Sequence, residues 1–558
     1  MKYSGAEITI KLLEREGIDI ITGIPGGTNL PLYSALAKSK IRHILARHEQ
    51  GACFISHGMA RSTGKTAVCF ATSGPGATNL LTAIADAKMD SVPIIAITGQ
   101  VPSSLIGTDA FQEVDIYGMT IPVTKHNFLI RSAEELLITI PEAFRIASEG
   151  RPGPVLIDIP KDVQLEMIDI ESFDRSCDED DPSICIDKAI IKKTAEMINR
   201  SNKPVLYTGG GIILSGAEDM LLDFAYKSSI PVASTLMGLG CFPSGDDLFL
   251  GMLGMHGQRY TNYIMHEADL LLAFGTRFDD RATGKVKEFC PTAKIIHIDI
   301  DGAEINKIKK ADIAIHGDIK QAIKQLLPLI EHNDRNKWTK TIMDMREKYP
   351  ISKKMTQDEQ LPETMVKKIG GFAGEDAIIT TDVGQHQMWV AQYYPFTKPR
   401  TLLTSGGLGT MGFGFPAAIG ASLANPDKKV ICFSGDGSFL MNIQELSTLS
   451  ELNLDIKIII FNNRHLGLVR QQQEYFYDKE YIASQFYCKT DFAQIGEGFG
   501  IESYDLKMAE TPFLILEKAI KKEGPVLINI PLAPEENITP MVAPGSANYE
   551  MIGGEINE

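Results

Sequence analysis

The sequence predicts an α/β protein made of three doubly wound parallel-sheet domains, and three observations lead there. The chain has 558 residues, more than one core supports, and the usual domain size suggests about three or four domains. Apolar runs of strand length alternate with helical periodicity along the chain. Gly- and Pro-rich turns stand after several runs and before helices, the edge at which parallel sheets meet ligands.

The first block, 1–170, opens on an amphipathic helix and has strands at 67–71, 94–98 and 155–159. An acidic, Ser-containing stretch, 171–183, reads as a linker. The second block, 185–330, opens at Lys203-Pro204-Val205-Leu206-Tyr207 and has strands at 270–274 and 295–300. A charged helical stretch, 332–368, leads to the third block, 360–540, whose first strand is Ala377-Ile378-Ile379. The segment 541–558 is a tail; without periodicity from Pro540 onward, it reads as a flexible arm or a lid. No short internal repeat or low-complexity tract is visible.

Composition narrows the function classes. Hydrophobic residues at 44% and aromatics at 8% are those of a globular protein. A net charge of −16 without a basic stripe argues against nucleic acid. The eight cysteines are scattered singly, which favours reduced thiols in a cytoplasmic protein over disulfides or a zinc site. No signal or transit segment opens the chain, and no apolar run reaches the roughly 18 residues that span a bilayer. A soluble, intracellular protein acting on small molecules is expected.

The most informative motif is Gly435-Asp436-Gly437, followed after 24 intervening residues by Asn462-Asn463. A strand at 430–433 delivers the triplet into a helix at 439–452, and a second strand, 456–461, delivers the asparagines. Asp436 and Asn463 offer hard oxygen donors of the kind Mg2+ takes while it holds phosphates. The glycines let backbone approach a diphosphate at a helix N-terminus. A lone Gly-Asp-Gly is usually just a turn, and the paired asparagines sharpen it. The pattern looks like the diphosphate motif of thiamine-diphosphate enzymes.

The first block carries a second constellation. Glu49 begins a helix within Arg47-His48-Glu49-Gln50-Gly51-Ala52, flanked by the loops Pro25-Gly26-Gly27 and Thr72-Ser73-Gly74-Pro75-Gly76-Ala77-Thr78-Asn79. A Glu there is commonly a partner of the helix dipole. Beside an aminopyrimidine, a carboxylate can instead shuttle the proton that unmasks the thiamine C2 carbanion. In the middle block, Gly209-Gly210-Gly211 invites a dinucleotide reading, but Leu214 stands where the last glycine of the nicotinamide fingerprint belongs.

Taken together, the chain resembles the acetohydroxyacid synthase (acetolactate synthase) catalytic subunits over nearly its whole length. The most specific stretches are Gly99-Gln100-Val101-Pro102, Ile106-Gly107-Thr108-Asp109-Ala110-Phe111-Gln112-Glu113 and Met252-Leu253-Gly254-Met255-His256-Gly257. Equally telling are Arg277-Phe278-Asp279-Asp280-Arg281, Asp382-Val383-Gly384-Gln385-His386-Gln387-Met388-Trp389 and Ser405-Gly406-Gly407-Leu408-Gly409-Thr410-Met411-Gly412. The resemblance implies pyrimidine-binding, central FAD-binding and diphosphate-binding domains, in that order. It implies that pyruvate is decarboxylated on thiamine diphosphate and condensed with pyruvate or 2-oxobutyrate, in branched-chain amino-acid biosynthesis. A homodimer or homotetramer, with active sites shared between subunits, and a small regulatory subunit are implied as well.

The same resemblance distributes the roles. Glu49 matches the activating acid; Pro25, Gly26, Thr72, Pro75 and Asn79 line the pyrimidine; Phe111, Gln112 and Lys125 belong to the reacting centre. Gly409 and Met411 contact the aminopyrimidine, Met411 wedging the cofactor into its bent form. Val383, Gly384, Gln385, His386, Gly435, Gly437 and Ser438 hold the diphosphate. Asp436, Asn463 and the His465 carbonyl are the Mg2+ ligands. FAD is assigned to Arg151, Gly209, Gly210, Gly211, Thr235, Leu236, Met255, His256, Gly275, Arg277, Asp299, Ile300 and Asp318. Arg281 takes the carboxylate of the second 2-oxo acid, a task suited to a guanidinium fork. The chain departs from the family at Gln472, where most relatives have the Trp that lines the second-substrate pocket.

Rival readings are a pyruvate oxidase or a simple decarboxylase, and a non-catalytic flavin-binding subunit. The 277–281 and 100–113 segments count against the first two, and the joint presence of Glu49, Asp436 and Asn463 counts against the last.

Overall fold

The computed structural model describes residues 1–171, 173, 186–351 and 361–553. Three six-stranded, all-parallel sheets dominate them, and two small antiparallel pairs flank the sheets. In chain order the N-terminal sheet has strands Ile20–Gly23, Arg42–Leu45, Ala67–Ala71, Ile94–Gln100, His126–Leu129 and Val155–Pro160. Their spatial order is second, first, third, fourth, sixth, fifth. The central strands are buried along their whole length, because helices cover both faces of a parallel sheet.

The C-terminal sheet has strands Ile378–Thr381, Leu402–Thr404, Val430–Gly435, Ile456–Asn462, Glu502–Asp505 and Val526–Pro531, in the same spatial order. The outer domains are thus topological twins, a relation that no short sequence repeat announces. The middle sheet differs. Its strands Pro204–Thr208, Val232–Ser234, Phe249–Met252, Leu270–Phe274, Lys294–Asp299 and Ile313–His316 lie in the order third, second, first, fourth, fifth, sixth. That is the dinucleotide-binding order, with its crevice between the first and fourth strands.

The two outer domains of one chain meet through helices Glu49–Thr63 and Gly414–Ala424. Two glycines make the contact close. A Cβ on Gly58 would collide with the Ala417 carbonyl, and one on Gly420 with the Ile55 carbonyl. Either glycine replaced by alanine would force the helices apart.

Some expectations need correction. The helix at 439–452 is three pieces: helix Asp436–Phe439, a single turn Ile443–Glu445 and helix Leu446–Leu452. At the break, Asn442 donates its side-chain amide to the distant Gly412 carbonyl at 2.6 Å. The stretch 332–368 is likewise not continuous, containing helices Asn336–Lys348 and Pro362–Ala373. Residues 352–360 between them, and nearly all of the linker 171–183, lie outside the described residues.

The tail is docked as far as residue 553. Met541–Val542 pairs with Met551–Ile552, the Val542 amide donates to the Met255 carbonyl at 2.8 Å, and Asn548 donates to the Ala282 carbonyl at 2.7 Å. Backbone pairing against the middle domain orders it, which periodicity could not reveal. Among the described residues no helix is long and apolar enough to cross a membrane.

Candidate active site

In each outer sheet the chain moves from the first strand to one side and returns on the other, opening a crevice between the first and third strands. In the N-terminal domain that edge gathers the Glu49 constellation. Helix Glu49–Thr63 starts at Glu49 because His48 Nδ1 caps it, accepting from the Gln50 amide at 3.1 Å. Glu49 is 9% exposed, and its Oε2 accepts from Asn79 Nδ2 at 2.8 Å. Gly76 leaves this carboxylate open: a Cβ there would lie 3.3 Å from Glu49 Oε1 and 2.7 Å from Thr72 Cγ2. Gly26 packs on Thr72 just as tightly, and Thr28 and Thr72 share a hydroxyl contact of 2.9 Å. Pro25 and Pro75 stand exposed at the loop tips.

The 103–114 loop arches over this edge. Gln112 has φ +60° and its backbone abuts Gly74, while Phe111 is 88% exposed. Glu113 organises the loop, accepting from the amides of Gly107, Thr108 and Ala110. Lys125 falls in a different group. Its ammonium donates to the Glu149 carbonyl beside Gly153, and burial lowers its pKa to about 8. It keeps company with the loop of Arg151 rather than with Glu49. Lys161, directly after the Val155–Pro160 strand, is a further cation at the Glu49 sheet's own edge, and a lone Lys carries no signal of that in the sequence.

The C-terminal crevice collects the second constellation. Strands Val430–Gly435 and Ile456–Asn462 are neighbours with Gly435 opposite Phe461, so Asp436 and Asn463 emerge side by side. Asp436 is buried, and desolvation pushes its pKa up to about 6, as for a carboxylate short of compensating charge. Asn463 donates to Gln385 Oε1 at 3.0 Å, and its own oxygen accepts from the His465 amide at 3.0 Å. His465 is therefore folded back on Asn463, with Nδ1 2.8 Å from the Asn463 carbonyl. Among the described residues no cluster of three or more His, Cys, Asp or Glu side chains could cage a metal. A hard cation here would rely on one carboxylate, amide and backbone oxygens, and phosphate oxygens, which suits Mg2+.

A cradle for those phosphates adjoins it. Gly384 and Gly435 both face the His386 ring, where a Cβ would sit 2.7 Å from Cε1 and 3.0 Å from Nδ1 respectively. His386 Nε2 is buried without a partner, and burial holds the ring neutral, with a pKa of about 3. Ser438 donates to the Val383 carbonyl at 2.8 Å, locking the two loops together. Gly437 presses on Leu466 and Phe486. Gly409, at φ +72°, is exposed with open space around it, and Met411 is half-buried beside it. Gln472 is exposed. Its neighbour Gln471 is fully buried, donating to the Ile538 carbonyl and accepting from the Ile538 amide and Gln385.

In the middle sheet the flavin candidates sit around the strand ends. At the crevice, Gly209 and Gly211 lie against Gly275, and a Cβ on Gly211 would meet Gly275 Cα at 2.6 Å. Gly210 faces Met237. Thr235 caps the turn Leu236–Gly238. Asp299, with Ile300 after it, ends the fifth strand, and desolvation raises its pKa to about 6. Asp318 caps helix Ile319–Leu326 and accepts from Ser215 at 2.8 Å. Arg151 pairs with Asp301 and Glu304, and Arg277 donates to the Met89 carbonyl. Buried polar atoms without partners at this edge, His256 Nε2, Thr276 Oγ1 and His297 Nδ1, fit a polar ligand. Met255 and Arg281 meet: the Met255 amide donates to the Arg281 carbonyl at 2.7 Å, and the guanidinium reaches the Met255 sulfur at 3.5 Å. The Arg281 side chain is 64% exposed.

Comparison with known proteins gives this geometry its relatives. Residues 3–119 match the N-terminal TPP binding domain of thiamine pyrophosphate enzymes, 191–326 their central domain and 382–530 their C-terminal TPP binding domain. The acetolactate synthase isozyme 1 large subunit of Escherichia coli is 54% identical over 99% of this chain and 98% of its own. The chain belongs to the acetolactate synthase large-subunit family. Within it, the isozyme 2 large subunit of Escherichia coli is 42% identical over 98% of this chain and 99% of its own. A probable acetolactate synthase large subunit of Methanocaldococcus jannaschii is 47% identical over 97% and 94%. The family's two TPP-binding regions fall on the twin sheets, covering four strands of the first and all but the opening strand of the second, and its central domain falls on the dinucleotide-ordered one.

Proposed function

We propose that this chain is the catalytic subunit of an acetolactate synthase, condensing the two-carbon unit left by decarboxylation of pyruvate with a second 2-oxo acid. The observation that carries this reading is the pair of open edges on twin sheets, one offering Glu49 on Asn79, the other Asp436 beside Asn463. Bound thiamine diphosphate supplies a C2 carbanion and an electron sink for decarboxylation. Glu49 holds or moves the proton at the aminopyrimidine, with Asn79 fixing its carboxylate. Asp436, Asn463 and the His465 carbonyl hold Mg2+, and His386 with the glycines of both loops receives the diphosphate. Arg281 takes the carboxylate of the second acid, and Met255 packs against its guanidinium. The exposed apolar side chains Phe111 and Leu408 suit burial against a second copy of the chain, which would complete each site. The relatives are large subunits by name, which supports a small partner subunit here.

The deciding experiment is product analysis with pyruvate plus 2-oxobutyrate. Acetohydroxyacids should form only when thiamine diphosphate and Mg2+ are both present; their absence under full supplementation would refute the reading.

FAD fits the middle crevice but has no redox work in a reaction without net electron transfer. Its absorbance should therefore stay in the oxidised form throughout steady turnover. Bleaching in proportion to turnover would favour a pyruvate oxidase instead.

Gln472 should shape the product mixture. One methylene in an apolar pocket is worth about 1–3 kcal/mol of discrimination. A Gln side chain offers less apolar area than Trp and an amide that seeks water. At equal concentrations of the two acids, acetolactate should remain a major product, and Gln472→Trp should shift the ratio toward acetohydroxybutyrate. A wild-type enzyme strongly biased to acetohydroxybutyrate would rule this out.

A further inference from the structure

Helix Leu81–Asp90 belongs to none of the motifs above, yet it touches all three domains. It follows directly from the Thr72–Asn79 loop through the short helix Pro75–Asn79. Asp86 and Asp90, one turn apart, face the C-terminal domain. Asp86 Oδ2 accepts from the Ser405 hydroxyl and from Thr410 Oγ1 at 2.7 Å, and Ser405 Oγ accepts from the Thr410 amide at 2.8 Å. Asp90 accepts from the amides of Gly407 at 2.7 Å and Gly406 at 3.0 Å, and pairs with Arg61. A Cβ on Gly407 would lie 2.8 Å from Asp90 Oδ1, so the glycine is what permits the approach. The last turn of the helix also accepts Arg277 at the Met89 carbonyl, and Ser91, its C-cap, accepts Arg151 at 2.8 Å.

The chemistry is costly for a mere domain contact. Asp86 is completely buried, and burial raises its pKa. An apolar interface would join the domains without that desolvation. Charged acceptors instead give direction: hydrogen bonds to a carboxylate are shorter and stronger than neutral ones. The segment they hold has three glycines, Gly406, Gly407 and Gly409, and little stiffness of its own. The acids grip it at Ser405–Gly407 and again at Thr410, leaving Leu408 and Gly409 as an exposed apex between the two grips.

We propose that Asp86 and Asp90 are positioning residues that clamp both ends of the 405–410 segment and thereby set Gly409 and Met411 against the aminopyrimidine. This rests on the proposed assignment of that segment to thiamine diphosphate. The clamp is mounted on the helix that continues the Glu49-side loop, so one rigid element sets both cofactor-facing edges of a chain.

The test uses the full-length chain with Mg2+ and compares Asp86→Asn and Thr410→Val with wild type. Displacing a positioned group can cost about a hundredfold in rate. We expect a thiamine diphosphate Kd raised by about tenfold or more and a kcat lowered by about as much, with the pyruvate KM nearly unchanged. The cofactor-free Thr410→Val protein should melt close to wild type. A folded variant whose Kd and kcat both stay within about twofold of wild type, or one whose melting temperature falls while both constants hold, overturns the clamp. Should Asp86→Asn fail to fold, Thr410→Val alone decides. A wild-type protein that binds no thiamine diphosphate refutes the assignment beneath the clamp; one that binds and turns over with unaffected variants refutes the clamp alone.

Discussion

Glu49→Gln should lower turnover by about 10²–10⁴-fold, the usual worth of a positioned proton-transfer group. The substitution keeps the side chain's size and can still offer an oxygen to Asn79 Nδ2, which lies 2.8 Å from Glu49 Oε2. The helix start is capped by His48, not by Glu49, so the fold has no reason to change. The middle-domain crevice draws on other strands, so flavin content should match wild type. Thiamine diphosphate should still bind, because its diphosphate is assigned to the other sheet. Steady-state kinetics, flavin absorbance and thermal melting together check the expectation. Turnover within a few-fold of wild type would remove Glu49 from the chemistry.

What the sequence disclosed follows from how parallel sheets are built. Strands buried on both faces read as continuous apolar runs, and 270–274 was legible to the residue. The ligand edge of such a sheet is punctuated by Gly and Pro, so Gly435-Asp436-Gly437 and the Glu49 loops could be placed before any contact was known. Long-range geometry was not legible. The common strand order of the outer domains depends on which strands pair, and short apolar runs do not encode their partners. Asp86 and Asp90 look like solvated helix charges, since nothing local announces Ser405 or Gly407 more than three hundred residues away. Lys125, which the family resemblance groups with Phe111 and Gln112, donates within one chain to the Glu149 carbonyl in the Arg151 neighbourhood, a placement that its sequence position does not announce. The tail shows no periodicity because it is held by scattered contacts, the Val542 backbone amide on Met255 and the Asn548 side-chain amide on Ala282, and not by one continuous helix or strand face.

Asp436→Ala should abolish Mg2+-dependent binding of thiamine diphosphate while leaving the cofactor-free protein at least as stable as wild type. Asn463 cannot compensate. Its amide nitrogen is committed to Gln385 and its oxygen already accepts from His465, so it brings a neutral, partly used donor to a divalent ion. The carboxylate is the anionic ligand of the proposed set, and a hard cation bound mainly through phosphates still needs such an anchor. The stability half follows from burial. Asp436 accepts from the Gly437 amide at 2.9 Å, and the backbone and charge of Arg464 also favour its ionised form, yet desolvation outweighs them and raises its pKa. Removing a buried carboxylate whose desolvation outweighs its hydrogen bonds relieves a cost and breaks no close ion pair. A ligand at a hundred times its Kd stabilises a fold by about 2.7 kcal/mol, so wild type should melt higher when thiamine diphosphate and Mg2+ are added together. The variant should show no such rise. An unchanged rise in Asp436→Ala, or equal thiamine diphosphate affinity by titration with and without Mg2+ in wild type, would place the metal elsewhere.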